Sequence, residues 1–318
     1  MSDEAGTTGR DDAGAARPVS GDRPVSGVGA VSGDAAAVGF DVPVARPVLG
    51  EGHVGVVRQR RAFLLLDSTR RAAWWDIVAV LVLLVGLSVV GGMALGVAIG
   101  MPPDAAWTDA DDGDPLEREF ERALLAPTLV AQATGAMLAV GLVLVYRRQA
   151  PASVGLYWRS LPLNVLLGIA ATGVAYGLIF PIMAALLAAF PAAGRQMAEN
   201  AGRLMAIMPD LSRWQYGGIA LVVGMWEEVL FRGFLLTRLR RATGSWPIAV
   251  VLCTVVFTAP HALDQEPAAL VMVSVLSLVF CVVTVWRRSI IPAIVGHALF
   301  DLSQFLYLAY ARSGGGGA

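Results

Sequence analysis

The chain has 318 residues, of which 56% are hydrophobic and only 15% are charged, and its mean hydropathy is +0.63. Soluble domains are about 45–50% apolar and about 25% charged, so this composition excludes an ordinary soluble protein and indicates one that crosses a lipid bilayer several times. A net charge of −1 and a pI near 6.3 argue against a nucleic-acid partner.

The first 57 residues differ from the rest of the chain. They are rich in glycine, alanine, proline and aspartate, and they contain the short repeat RPVSGDRPVSG. Almost no aromatic residue is present from which a core could form. We expect residues 1–57 to be a disordered cytoplasmic tail, and the lack of a short apolar segment near the start argues against a signal peptide.

Seven apolar segments approach or exceed the length of about 20 residues that a helix needs to cross a bilayer. They cover residues 74–100, 123–146, 162–190, 215–237, 247–262, 268–286 and 290–310. Pro181 in the third predicts a tilt or a break, and the fifth is short and has Pro260 near its end. Cys253 and Cys281 lie in apolar runs and are expected to be buried, not paired or metal-bound. The expected fold class is all-α, a polytopic membrane bundle of about seven transmembrane helices.

Arginines orient these spans. Five arginines within residues 58–71 precede the first span, and further arginines follow the second, fourth and sixth spans at 147–148, 238–241 and 287–288. Because cytoplasmic loops are enriched in arginine, we expect the N-terminus inside a cytoplasmic (plasma) membrane and the acidic loop 101–122 outside. Loop 191–214, with three arginines, is the exception. Asp76, just inside the first span, is expected at the membrane interface.

The stretch WEEVLFRGF in the fourth span places three charges where each is costly. Glu228 and Arg232 are four residues apart on one helical face, in the order that favours an ion pair. Glu227 lies roughly a quarter-turn away, so we expect it to point elsewhere and to need another partner.

Two histidines and an aspartate are the candidates to meet Glu227: His261 in FTAPHAL, and His297 and Asp301 in GHALFDLS. A structural polar network that locks helix packing could explain the Glu228–Arg232 pair alone. It does not explain the whole set, because packing does not require two histidines and three carboxylates together.

Two kinds of chemistry suit this set. A carboxylate beside a histidine can take a proton from water, and a second histidine can stabilise the oxyanion that forms when that water attacks a carbonyl. Alternatively, His261, His297 and a carboxylate, either Glu227 or Asp301, could bind zinc with water as the fourth ligand. The sequence leaves both alternatives open, so the expected cofactor is either none or zinc.

The ordered motifs resemble those of the CAAX prenyl protease and bacteriocin-processing family, intramembrane proteases related to the eukaryotic type II CAAX endopeptidase. The family pattern of EExxxR, FxxxH and HxxxN or HxxxD is matched here by Glu227-Glu228-x-x-x-Arg232, Phe257-x-x-x-His261 and His297-x-x-x-Asp301. SVGLYW at 153–158 is similar to an element often found upstream. The resemblance implies a protease domain at 151–312, preceded by an N-terminal transmembrane region at 58–150.

The resemblance also implies an all-helical membrane fold with a conical cavity that opens to the cytosol. The roles it implies are water activation by Glu227 and His261, support by Glu228 and Arg232, and oxyanion contact by His297 and Asp301. One position departs from the pattern, because the endopeptidase branch has Asn where this chain has Asp301. An ionised Asp repels an oxyanion, so Asp301 is either protonated or has a different role.

The expected function is that of an intramembrane endopeptidase cleaving a peptide or protein substrate, membrane-anchored or not, near the cytosolic face. A prenylated CAAX tail, a bacteriocin leader, a membrane-anchored precursor or a regulator would each fit the family. The alternative is a non-catalytic protein, either a proton-coupled transporter or a scaffold subunit, because intramembrane Glu, His and Asp also form proton relays. Transporters commonly contain repeated halves, and neither EExxxR nor HxxxD has a second copy in this sequence.

Overall fold

A computed structural model describes residues 62–65, 68–98, 115–158, 160–209, 211–263 and 265–313. Within these ranges every regular element is a helix, which confirms the all-α fold class. The predicted tail, residues 1–57, lies outside the described residues, and so does the first half of the acidic loop after the first span.

The helices in chain order are α1 (Arg70–Ala98), α2 (Pro115–Tyr146), α3 (Leu161–Ala189), α4 (Pro191–Ile207), α5 (Arg213–Glu228), α6 (Leu236–Thr243), α7 (Trp246–Thr258), α8 (Pro267–Arg287) and α9 (Ile291–Arg312). A π-helix, Val229–Leu235, joins α5 to α6, and short 3-10 helices cover Pro151–Val154 and Ala259–Leu263. Helices α3, α4, α7, α8 and α9 have a proline at one of their first two positions, where a missing backbone N–H costs nothing.

Six helical segments of the described chain are long and apolar enough to cross a membrane: Arg70–Gly92, Pro127–Tyr146, Leu161–Ala189, Trp246–Leu263, Pro267–Arg287 and Ile291–Arg312. They correspond to six of the seven predicted spans. The remaining segment, 215–237, is helical throughout, but it changes from α to π at Val229 and carries the three charges of WEEVLFRGF. Its α-helical part has only 16 residues, fewer than the roughly 20 that cross a bilayer unaided.

The two prolines inside spans have different effects. Pro181 does not break α3, which continues to Ala189. Pro260 lies just after α7 ends at Thr258, and the chain continues as a 3-10 helix. Both cysteines are buried in the core, as predicted.

Helix α9 packs closely against α3 and α5 at glycine positions. A Cβ atom at Gly168 of α3 would lie 2.7 Å from the carbonyl oxygen of Pro292. A Cβ atom at Gly224 of α5 would lie 3.1 Å from the backbone nitrogen of Ala298. Glycine is required where two helix backbones approach this closely, and the approach fixes α9 between its neighbours.

The arginine-bearing helix ends meet at one end of the bundle, which we call the arginine end. It comprises the start of α1, the end of α2, the end of α6, the start of α7, the end of α8 and the start of α9. Arg241 Nε donates to the carbonyl oxygen of Ser68 at 2.5 Å. Tyr157 Oη donates to the carbonyl oxygen of Arg287 at 2.9 Å. The first contact joins the residues before α1 to the end of α6, and the second joins the residues after α2 to the end of α8.

The Asp76 cluster, formed by Asp76, Arg147, Gln149 and Arg238, is buried near this end. Asp76 is 1% exposed and accepts a hydrogen bond from Arg147 Nε at 2.5 Å. Arg238 is fully buried, with its Nε 4.0 Å from the other Asp76 oxygen, and it donates to Gln149. The carboxylate of Asp76 is therefore enclosed between helices by cations that are distant in the sequence, and its interfacial depth stays a prediction.

Candidate active site

The charges of WEEVLFRGF lie where α5 passes into the π-helix. Arg232 Nη1 donates to Glu228 Oε1 at 2.8 Å, and both side chains are fully buried, which confirms the predicted ion pair. The EExxxR spacing gave no sign of the π-helix. Single turns of π-helix occur often at functional sites, so this irregularity is a second local feature of the site.

His297 on α9 joins the ion pair to the other carboxylates. Its Nδ1 lies 2.8 Å from Glu228 Oε1, the oxygen that also receives the hydrogen bond from Arg232. Its Nε2 lies 3.7 Å from Glu227 Oε2 and 3.6 Å from Asp301 Oδ2. Five of the six residues singled out from the sequence are thereby in one group.

Two phenylalanines cover the buried side of this group. The guanidinium carbon of Arg232 lies 4.0 Å from the ring centroid of Phe257 and 5.9 Å from that of Phe280. The same rings lie 6.2 and 5.9 Å from the imidazole of His297. Cation–π attraction supports Arg232, whose Nε and Nη2 have no hydrogen-bond partner among the described residues. Phe280 was not found from the sequence, because nothing distinguishes it from other apolar residues of its span.

His261 reaches the group through Phe257. It lies on the 3-10 helix after α7 and is partly exposed. Its Nδ1 is 3.0 Å from the carbonyl oxygen of Phe257, and the two rings are 5.2 Å apart. The FxxxH spacing thus corresponds to one turn in which the phenylalanine positions the histidine and packs against Arg232.

Exposure divides the site into two layers. The side chains of Glu228 and Arg232 are 0% exposed and that of His297 is 6% exposed, and we call these three the Glu228 cluster. The side chains of Glu227 and Asp301 are 14% and 19% exposed. The site therefore has a buried layer, the Glu228 cluster, and an accessible layer. The accessible layer consists of Glu227, Asp301 and the partly exposed His261.

The zinc alternative needs ligand atoms about 2.0–2.2 Å from the metal, converging from at least three side chains. In the part of the chain that the structure describes, no three His, Cys, Asp or Glu side chains are arranged to hold a metal ion. The arrangement of the described residues does not fit a zinc site, and a chelator tests the alternative of a zinc cofactor.

Comparison with protein families supports the same region of the chain. Residues 209–303 match the family described as type II CAAX prenyl endopeptidase Rce1-like. The matched segment contains all six candidate residues in the order of the family motifs. Residues 209–303 are therefore similar to the CAAX protease family, and the match supports the resemblance drawn from the motifs. A comparison with curated proteins gave no match, and neither did a comparison with solved structures.

The family match, together with six helices of the described chain that are long and apolar enough to cross a membrane, indicates an integral membrane protein of a protease type. The match begins at residue 209, inside the predicted domain 151–312, and leaves α1 to α4 outside it. The domain boundary at 150 stays a prediction.

Proposed function

We propose that the chain is an intramembrane endopeptidase that hydrolyses a peptide bond with a water molecule activated by Glu227 and His261. The observation that carries this proposal is the placement of His297, with one ring nitrogen held by the Glu228–Arg232 pair and the other facing Glu227 and Asp301. The family match supports the protease class, and the site geometry supports the roles of individual residues.

His297 is the proposed oxyanion donor. Glu228 is paired with Arg232 and is therefore an acceptor, so His297 Nδ1 carries the proton between them. This hydrogen bond fixes the ring and directs Nε2 at the space between Glu227 and Asp301. A proton on Nε2 can then be donated to a carbonyl oxygen that gains charge. In this scheme Asp301 keeps the proton on His297.

Glu227 is the proposed general base. It has no direct ion pair with Arg232, whose guanidinium is held by Glu228, and its carboxylate is in the accessible layer. Its distance of 3.7 Å from His297 Nε2 exceeds a hydrogen bond of about 2.7–3.2 Å, and catalytic contacts are commonly long before substrate binds. A reacting group can therefore enter between them.

The proposed reaction is an addition followed by an elimination. Water bound by Glu227 and His261 gives a proton to Glu227 as its oxygen attacks the peptide carbonyl carbon. The carbonyl oxygen becomes an oxyanion held by His297 Nε2–H. Glu227 then returns the proton to the amide nitrogen, the C–N bond breaks, and a carboxylic acid and an amine leave.

A quenched peptide library tests the proposal with purified protein in detergent. We expect cleavage by the parent protein and by Glu266→Gln, a matched control at the N-cap of α8, and none by Glu227→Gln. Cleavage by Glu227→Gln at the parent rate would remove Glu227 from the mechanism. The absence of cleavage of any peptide, in protein that stays folded, would instead favour the transporter or scaffold alternative.

A further inference from the structure

The substrate class depends on which side of the membrane the site faces. Segments 58–71, 147–160, 238–245 and 287–290, which flank or form the arginine end, carry thirteen of the chain's 24 arginines. The chain has no lysine. Segment 101–122, which in the sequence joins the end of α1 to α2, has eight acidic residues and two arginines. Arginine-rich short loops remain in the cytoplasm, so the arginine end is the cytoplasmic end.

The exception noted in the sequence does not reverse this asymmetry. Segment 191–214, which contains α4, has three arginines, and the C-terminal end of α9 has Arg312, whose Nη1 donates to the carbonyl oxygens of Met205 and Met208. Segments 101–122 and 191–214 together with Arg312 account for six arginines, against thirteen for the arginine end. The larger number decides orientation under the positive-inside rule.

The site is closed toward the arginine end. Between Glu228 and that end, the π-helix and α6 are almost entirely buried as far as Leu239. On α9, the four residues from Ile291 to Ile294 are buried, and on α7 Ala249, Cys253 and Phe257 face the core. These buried residues separate the site from the arginine end in the part of the chain that the structure describes.

The site is open toward the opposite end. His261 lies fifteen residues after Trp246, so it is about 22 Å from the arginine end of its own helix. Beyond it, Leu263 is 91% exposed. On α9, the residues from Asp301 to Phe305 are partly exposed, in contrast to the buried start of the same helix. The accessible layer of the site is thus on the side away from the arginines.

We propose that the site faces the non-cytoplasmic side of the membrane and that its substrate is a peptide segment presented there, such as the juxtamembrane part of an exported or membrane-anchored precursor. This inference rests on the proposed endopeptidase function. The family resemblance implied a cavity open to the cytosol, and that expectation conflicts with the arginine rule for this chain. A prenylated CAAX tail, which is a cytosolic C-terminus, would then not reach Glu227.

Cysteine accessibility tests the orientation without any need for a substrate. Single cysteines are placed in a Cys253→Ala/Cys281→Ala background at Leu263 and Trp214 near the proposed outer end, and at Trp286 and Trp158 near the arginine end. All four positions are more than half exposed, with 91%, 79%, 53% and 74% exposure. Spheroplasts of a bacterial host are treated with a membrane-impermeant maleimide before and after permeabilisation.

We expect Leu263→Cys and Trp214→Cys to be labelled equally before and after permeabilisation, and Trp286→Cys and Trp158→Cys only after it. The reverse pattern would overturn the inference, and two positions at each end guard against one misfolded variant. A second assay adds the quenched peptide library to right-side-out and inverted vesicles, and only right-side-out vesicles should show Glu227-dependent cleavage.

The two assays separate the failures of the two proposals. Outer labelling at Leu263, with no cleavage by vesicles or by detergent-solubilised protein, keeps the orientation and rejects the endopeptidase. Inner labelling at Leu263 rejects the orientation, whatever the activity. Cleavage confined to inverted vesicles would also reject it and would return the prenylated cytosolic tail to consideration.

Discussion

Two ionic clusters are buried among the helices of this protein, and they differ in what surrounds them. The Asp76 cluster has one carboxylate between Arg147 and Arg238. Its exposed part is Arg147, whose side chain is 31% exposed. An arginine does not lose its proton in proteins, so the accessible group of this cluster cannot serve as an acid or a base.

At the Glu228 cluster, the cation lies on the inside, and titratable groups of the accessible layer lie outside the cluster. Arg232 is sealed under Phe257 and Phe280, whereas Glu227 and Asp301 face the accessible layer. A buried ion pair therefore marks helix packing in both places. The feature specific to a candidate active site is an accessible set of groups that can exchange protons. The buried Glu228–Arg232 pair supports these groups.

The largest effect on activity is expected from the accessible layer. His261→Ala should lower kcat by about 10²–10⁴-fold, the usual contribution of a group that takes part in proton transfer. The melting temperature should change little, because His261 is partly exposed. Steady-state rates on a cleaved library peptide provide the measurement.

Leu263→Ala, two residues further along the same 3-10 helix, is the matched control for local disturbance. Parent-like activity in His261→Ala would place that histidine outside the reaction and would weaken the distinction between the two layers. Combining it with Glu227→Gln should cost little more than either alone, because groups that act as a unit are not additive.

The largest effect on stability is expected in the Glu228 cluster, the buried layer of the site. Glu228→Ala removes the partner of both Arg232 and His297 and leaves a fully buried cation without its counter-ion. Breaking a buried pair in this way typically costs about 3–5 kcal/mol of the free energy of unfolding. Thermal unfolding in detergent should show it, and Glu228→Gln, which keeps an acceptor oxygen, should lose less. An unshifted melting temperature for Glu228→Ala would mean that the pair contributes no stability.

The Asp76 cluster should affect stability without affecting catalysis. Asp76→Ala should cost about 1–3 kcal/mol, less than Glu228→Ala, because Arg147 is 31% exposed and can be solvated once its partner is gone. Arg238, which is buried and 4.0 Å from Asp76, keeps its hydrogen bonds to Thr237 and Gln149. The activity per folded molecule should match that of the parent protein, measured by scaling rates to the folded fraction. A loss of kcat in fully folded Asp76→Ala protein would show that the two clusters are coupled. It would contradict the assignment of the Asp76 cluster to stability alone.

The sequence predicted the local features of this molecule better than its long-range pairs. The i,i+4 pair of Glu228 with Arg232 follows from helical spacing alone, and it forms as predicted. The contact of Asp76 with Arg147 spans 71 residues, and the contact of Glu228 with His297 spans 69. No periodicity within one helix carries such information, so neither partner of Asp76 was predicted, and His297 was only one of three candidates to meet the glutamates.

Orientation is the other property that local patterns could not settle. Arginine counts gave the side of each loop, and the resemblance gave the direction of the cavity, but the two could be compared only once Glu227, His261 and Asp301 had positions along their helices. The π-helix was equally hidden, because a change from α to π at Val229 leaves the apolar pattern of the segment intact.

The smallest effect is expected for Asp301→Asn, the substitution that returns this position to the residue of the endopeptidase branch. In the metal-free mechanism, Asn can donate a hydrogen bond to the oxyanion directly, so it can replace part of what His297 and Asp301 supply together. One neutral hydrogen bond is worth about 0.5–1.5 kcal/mol, and the rate should therefore stay within about two- to tenfold of the parent rate. A chelator should change the rate of neither the parent protein nor the variant.

In the zinc version, the same substitution removes a charged ligand, and the neutral amide of Asn binds zinc more weakly. The rate should then fall by more than the roughly 10–100-fold that accompanies changes next to a metal ligand, and added zinc should partly restore it. We expect the metal-free result, because no three His, Cys, Asp or Glu side chains of the described residues are arranged to hold a metal ion. A chelator-sensitive parent protein with an inactive Asp301→Asn variant would instead assign the accessible layer to metal binding, and the Glu228 cluster would then be the support of a metal site.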